Sequence, residues 1–256
     1  MKLKYVFFII IIILSFFIIS LIFLGVLNTS KESFTNLIVD TYFLKTIFFT
    51  AQTSLIATFL AFLTGVPSGY YLARDNRFIA KILDIILDLP VVIPPLVVGV
   101  LLINLFNLPA VKKFYTFIFT PSGAIIAQYI IAVPLTIKTS KSAFEIVSPV
   151  YEKIAMTLGA NTFRAFYDTT FRIAMPGILS GTVLTLLRCA GEFGATLMVG
   201  GGIPGKTENI PVNIYINMSA GDFDKAMATS ILFIFFIFFA LFCVKILIIK
   251  NRVKDG

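Results

Sequence analysis

Residues 5–27 read YVFFIIIIILSFFIISLIFLGVL, 23 consecutive positions without a charge. The hydrocarbon core of a bilayer is ~30 Å thick, so a helix rising ~1.5 Å per residue needs about 20 apolar residues to cross it. The run exceeds the ~7–15-residue apolar stretch of a cleavable leader, and no small-residue cleavage site follows, so it reads as an uncleaved first span. Five more apolar runs follow: Leu44–Ala73, Leu83–Phe106, Ser122–Lys138, Gly177–Val199 and Ala226–Ile249. The fourth is short and contains Pro134. Pro67, Pro90, Pro94 and Pro95 lie within or beside other runs, where neighbouring helices must satisfy the backbone groups that proline frees.

The rest of the chain agrees. Hydrophobic residues make up 58% of it and charged residues 13%, about half the share of an ordinary soluble domain, near 25%. The expected class is an all-α integral membrane protein of six transmembrane helices, with residues 1–256 forming a single membrane domain. Six spans place both termini on one face. That face carries 14 of the 21 Lys and Arg residues and the other carries six, with Arg188 alone inside a span. Basic residues concentrate on the cytoplasmic side, so both termini are expected in the cytoplasm and the protein in the cell membrane. The net charge of +8 clusters at the ends of apolar runs. It marks a membrane face and not a nucleic-acid surface.

The longest connection, residues 139–176, falls on the cytoplasmic side. A connection longer than about 12–15 residues usually has structure or function of its own. Ser148-Pro149 opens a helical pattern, proline being at home in the first turn after a serine cap. Val150, Ile154 and Leu158 follow at i, i+4 and i+8, and Gly159 suits either a helix stop or a close contact. Two readings stand: a helix packed on its own spans, and a helix that docks a cytoplasmic partner.

Several chemistries are excluded. There is no histidine, the commonest general base and metal ligand. Cys189 and Cys243 sit in apolar runs without metal-ligand spacing. No pair of intramembrane aspartates suggests a protease, so no catalytic or metal site is expected. Residues 200–207, GGGIPGKT, satisfy the P-loop pattern. A P-loop needs a strand before it and a helix after it to cradle phosphate. Here a membrane span precedes, Ile210-Pro211 follows, and the charge count puts the segment outside the cell.

The fifth run holds the only intramembrane charges of note. At ~100° per residue, Gly177, Gly181, Thr185, Arg188, Glu192 and Thr196 share about one 100° arc, opposite Leu179, Leu186, Phe193 and Leu197. Arg188 would lie ~16 Å beyond Gly177 at the rise of a helix, near mid-bilayer. A charge there costs at least about 2.5–3.5 kcal/mol and usually faces a protein interior or a pathway. Thr185, Arg188, Glu192 and Thr196 therefore either line a solute path, with Arg188 attracting an anion, or include a structural Arg188–Glu192 pair that ties helices together.

Three segments resemble the permease subunit of ABC importers, most closely the molybdate/tungstate group. Tyr151-Glu152-Lys153-Ile154-Ala155-Met156-Thr157-Leu158-Gly159-Ala160 resembles the family's EAA loop. Leu87-Asp88-Leu89-Pro90-Val91-Val92-Ile93-Pro94-Pro95-Leu96-Val97-Val98-Gly99 resembles its third-span signature. Gly191-Glu192-Phe193-Gly194-Ala195-Thr196-Leu197-Met198-Val199, followed by Ile203-Pro204-Gly205-Lys206-Thr207, resembles the end of its fifth span. The chain departs from the pattern where Lys153-Ile154-Ala155 replaces Glu-Ala-Ala, and where Phe171-Arg172 stands for Leu-Pro. The resemblance implies a homodimer, two cytoplasmic ATPase subunits that bind the ATP, no cofactor in this chain, and an extracytoplasmic oxyanion-binding protein. It implies alternating access driven by the ATPases through a coupling helix between spans 4 and 5, with Glu152, Ala155, Leu158, Gly159 and Ala160 at the ATPase contact. A sulfate or thiosulfate importer of the same superfamily is the alternative.

Overall fold

The computed structural model describes the backbone of residues 2–254 and the side chains of residues 4–239, 241 and 242. The described residues are helical with no strand: α1 (Lys2–Asn28), α2 (Lys31–Val39), α3 (Thr41–Arg74), α4 (Phe78–Val92), α5 (Pro95–Phe106), α6 (Pro109–Phe114), α7 (Pro121–Glu145), α8 (Val150–Thr157) and α9 (Thr162–Ala165). A π-helical segment, Phe166–Phe171, leads into α10 (Arg172–Ala190), followed by α11 (Gly194–Gly200), α12 (Ile210–Ser219) and α13 (Phe223–Lys254). Lys4–Asn28, α3, α7 and the continuous run Thr162–Ala190 are each long and apolar enough to cross a membrane. The bent pair α4 and α5 is long and apolar enough only when taken together, as one broken span or as a re-entrant loop. The sixth expected run lies on α13, a helix of 32 residues. The side chains of its inner part, Cys243 and the terminal basic residues Lys2, Lys245, Lys250, Arg252 and Lys254 used in the charge count all lie outside the described residues.

The core is a close three-helix contact of α3, α7 and α10. Thr46, Thr50, Thr53, Ala57, Ala61, Gly65 and Gly69 recur every three or four residues along α3, and all are buried. Without a hydrophobic drive between helices in lipid, such small residues let backbones approach and gain dispersion contact. A Cβ on Gly69 would fall 2.8 Å from the Ile137 carbonyl oxygen and the Lys141 nitrogen. A Cβ on Gly181 would fall 2.0 Å from Thr139 Oγ1. Overpacking a tight contact costs about 1–3 kcal/mol and sometimes more. Gly69→Leu is therefore expected to abolish monodisperse protein in detergent extracts, read by size-exclusion chromatography, whereas Gly221→Leu, where a Cβ meets nothing, should leave only the local backbone cost.

Two expected spans are broken. Leu83–Phe106 is not one helix: α4, which starts earlier at Phe78, and α5 meet at 108°. A residue before proline is pushed out of the α region. Ile93 precedes Pro94 and Pro94 precedes Pro95, and both are extended, at φ −71, ψ 132 and φ −54, ψ 134. Two successive extended residues end one helix and re-aim the next. The run Gly177–Val199 also breaks, after Ala190, with Gly191–Phe193 between α10 and α11. Pro134, by contrast, leaves α7 continuous through Glu145. The connection expected over 139–176 thus shrinks to the stretch between Glu145 and Thr162.

The arm α4 is tied to α7 by two ion pairs, Lys138–Asp88 at 2.9 Å and Lys141–Asp84 at 2.7 Å. They sit one turn apart, since Asp84 and Asp88 are i, i+4 neighbours.

Candidate functional site: a charged break and a docking helix

The break after Ala190 frees helix-end groups in the bundle, and several of them find side-chain partners. Arg188 Nη1 meets Glu192 Oε2 at 2.6 Å. The other carboxylate oxygen, Oε1, accepts the Ala195 N–H at 2.9 Å and so caps α11. The Glu192 carbonyl accepts from Asn209 Nδ2 at 2.7 Å. Asn209 Oδ1 in turn caps α12 by accepting the Val212 N–H at 3.0 Å. The Ile210 N–H donates to Thr50 Oγ1 on α3 at 2.9 Å. One carboxylate therefore holds an arginine, starts a helix, and is fixed from behind by the loop that follows α11.

The two charges differ in exposure. The Glu192 side chain is 1% exposed and the Arg188 side chain 37%. A guanidinium carries five N–H donors, and among the described residues its only hydrogen-bond partner is Glu192. Arg188 thus keeps its charge partly offset, with most of its donors left over after the Glu192 bond.

Thr185 and Thr196 do not share that surface. Thr185 is fully buried, bonded to Thr136 on α7 at 2.8 Å and to the Gly181 carbonyl at 3.0 Å. Thr196 is fully buried on α11, its hydroxyl unbonded among the described residues. The arc drawn for one continuous helix is corrected here: it fails at Gly191. Arg188 and Glu192 are brought together, and Thr185 and Thr196 are packed inside.

The false P-loop is a closed turn between α11 and α12. Thr207 Oγ1 donates to the Gly200 carbonyl at 2.6 Å and accepts the Ile203 N–H at 3.0 Å. No strand precedes it, and its threonine is spent on closing the loop. Behind it Glu208 is buried, accepting from Tyr42 Oη and from Asn213 Nδ2.

The second site is α8. Val150, Ile154 and Leu158 are exposed, Leu158 at 84%, so the stripe does not pack on the protein's own spans. Phe163 and Tyr167, farther along the chain, are also exposed and stack on each other. Gly159 has φ +93 and a Cβ there would meet nothing in this chain. It is the stop and not a close internal contact. The Gly159 N–H donates to the Met156 carbonyl and the Ala160 N–H to the Ala155 carbonyl, both at 3.0 Å. This is the Schellman arrangement, in which a left-handed glycine closes the last turn. Ala155, Gly159 and Ala160 thus shape the end of α8, and Leu158 faces outward.

Glu152 points the other way. Its carboxylate, 14% exposed, accepts from Tyr70 Oη on α3 at 2.9 Å and from Thr170 Oγ1 on the π-helical segment. The residues missed by the sequence reading are these holders: Tyr70, Thr170, Thr50 and Asn209. Only Asn209 carried a usable signal, an Asn followed by Ile-Pro, which is a helix start.

Comparison with known proteins identifies the family. Residues 65–254 match the family of binding-protein-dependent transport system inner membrane components. The chain is 32% identical to the putative molybdenum transport system permease protein YvgM of Bacillus subtilis (strain 168), over 76% of this chain and 88% of that one. It is 37% identical to the molybdenum transport system permease protein ModB of Escherichia coli (strain K12), over 63% of this chain and 76% of the relative. Among solved structures it is similar to the inward-facing MetNI methionine ABC transporter, with a TM-score of 0.65 at 17% identity, covering 81% of this chain and 94% of that one. A bacterial ABC transporter that imports alginate gives 0.60 at 18% identity, covering 87% of this chain and 83% of that one.

Proposed function

Because this chain belongs to the family of binding-protein-dependent transport system inner membrane components, a multi-pass membrane family, we propose that it is the permease subunit of an ATP-driven molybdate or tungstate importer. The carrying observation is the identity of 32% and 37% to molybdenum transport permeases, joined here to a half-exposed arginine with spare donors at the break of the fifth span. In this reading two copies form the pathway. Two ATPase subunits bind the cytoplasmic face at α8, and an extracytoplasmic binding protein delivers the oxyanion to the opposite end. Both termini are cytoplasmic.

The chemistry follows from charge. A tetrahedral dianion entering the bilayer must exchange water for fixed donors and positive charge. One Arg188 per copy supplies two guanidinium groups, which match the charge of the solute. Glu192 takes one donor from each, so the anion meets a weakened site from which it can leave.

The test is uptake by the complex reconstituted in vesicles with its ATPase and binding protein. ATP-dependent uptake of labelled molybdate, displaced by tungstate and not by excess sulfate, is expected. Equal displacement by sulfate would overturn the cargo assignment, and uptake without ATP would overturn the class.

A further inference from the structure

Glu152 lies on α8 but makes its bonds elsewhere. Its carboxylate accepts from Tyr70 Oη at 2.9 Å and from Thr170 Oγ1, and it lies 3.9 Å from Arg74. The Arg74 guanidinium donates to the Val147 carbonyl, just ahead of α8, at 2.9 Å. The Tyr70 ring is wedged edge-on against Phe144 of α7 and Phe166 of the π-helical segment, at 5.3 and 4.6 Å between centroids. One side chain thus joins α8 to α3 and to the lead-in of α10.

Chain connectivity makes the α3 link the informative one. Short backbone segments join α8 to α7 on one side and to α9 on the other, so a pull on α8 reaches those helices covalently. No covalent path of comparable length reaches α3, which ends at Arg74. α3 also packs along α7 and α10 through its small-residue face, but its direct links to the α8 region run through Glu152, Arg74 and the aromatic packing around Tyr70. From there α3 continues as one helix to Thr41, passing Thr50, whose hydroxyl accepts the Ile210 N–H beside Asn209 and therefore beside Glu192.

We propose that Glu152 is a positioning residue that transmits displacement of α8 to α3, and through Thr50 to the Arg188–Glu192 break. This rests on the reading of α8 as the ATPase-docking helix. Glu152 then works from the inner side of α8, and the outer side is left to Tyr151, Ile154 and Leu158. A π-helical turn beside it fits such a role, because these segments concentrate at functional positions.

The experiment uses the whole complex, spin-labelled either at Asn76→Cys, just past α3, or at Thr157→Cys on α8. Distances between the two copies are measured with and without ATP. In the wild-type background both label pairs should change distance on ATP binding. With Glu152→Ala the α8 pair should still change and the pair beside α3 should lose most of its change, while uptake per ATP falls about 10-fold. Glu152→Gln, whose amide can still bond both hydroxyls, should restore most of both. Unchanged movement beside α3 with Glu152→Ala would overturn the proposal. If that variant fails to assemble, Tyr70→Phe decides, since it removes a single bond: a reduced change beside α3 supports the link and a full one overturns it. Failure of an ATPase to copurify with the wild-type chain would instead overturn the docking reading itself.

Discussion

Arg188→Gln lowers oxyanion uptake at least 100-fold while the complex still assembles: this is the expected result if the half-exposed guanidinium lines the pathway. Hydrogen bonds to charged groups contribute about 1.5–3 kcal/mol each. Loss of the charge from both copies removes at least ~3 kcal/mol, and each 1.4 kcal/mol is tenfold in rate. Glutamine is chosen because its amide can still donate to Glu192 Oε2, which otherwise would be stranded as a buried charge at a cost of several kcal/mol. A purely structural pair predicts the reverse pattern. Arg188→Gln would then transport at close to the wild-type rate once normalised to assembled complex, and that outcome would remove Arg188 from the pathway. Glu192→Gln keeps the oxygen that caps α11 at Ala195 and frees the guanidinium, so it should assemble and release the anion more slowly.

The second large effect belongs to α8. Leu158 is the most exposed apolar side chain of that helix, at 84%, and it sits beside a glycine whose φ of +93 fixes the turn. Burying a leucine contributes about 1.5–3 kcal/mol, and the proposed complex has two such contacts. Leu158→Asp adds desolvation of a carboxylate to that loss. Copurification of the ATPase should fall more than 100-fold, since even ~3 kcal/mol corresponds to over a hundredfold in binding. The variant permease itself should remain folded, because the side chain touches little of its own bundle. Gly159→Ala should weaken the same association only modestly, through the cost of a left-handed alanine, ~1 kcal/mol. Retained ATPase binding by Leu158→Asp would move the docking surface away from α8.

The membrane spans were legible because a bilayer imposes a length and a polarity that composition alone reveals. The helix α8 was legible for a similar reason: Ser148-Pro149 and Gly159 punctuate it, and an exposed apolar stripe repeats between them. The interruptions were not. An ideal 100° wheel drawn from Gly177 is sound up to Arg188 and misleads beyond Gly191, where Glu192 turns from a face residue into the cap of a new helix. It therefore grouped Thr196 with the charges, although it is packed inward on α11; Thr185, ahead of the break, does share the arc but is covered by Thr136 of α7. Pro94-Pro95 was visible as a disturbance, but the size of the bend depends on two consecutive extended residues and on what α4 then packs against. Glu152 shows the remaining limit. Its residue type suits a partner contact as well as an internal one, and only the placement of Tyr70 and Thr170 from distant parts of the chain settles which way it points.

The ion pairs between α4 and α7 carry a consequence for synthesis. Asp84 and its Lys141 partner are 57 residues apart in the chain. At a translation rate of ~5–20 residues per second, the lysine follows the aspartate by roughly 3–11 seconds. During that interval Asp84 and Asp88 lack the two lysines that pair with them in the folded protein, and a carboxylate taken out of water without a partner is costly. The ion pairs that fix the arm Phe78–Phe106 against α7 can form only once Lys138 and Lys141 have been made, so the arm and its anchor are expected to reach their final packing as a pair.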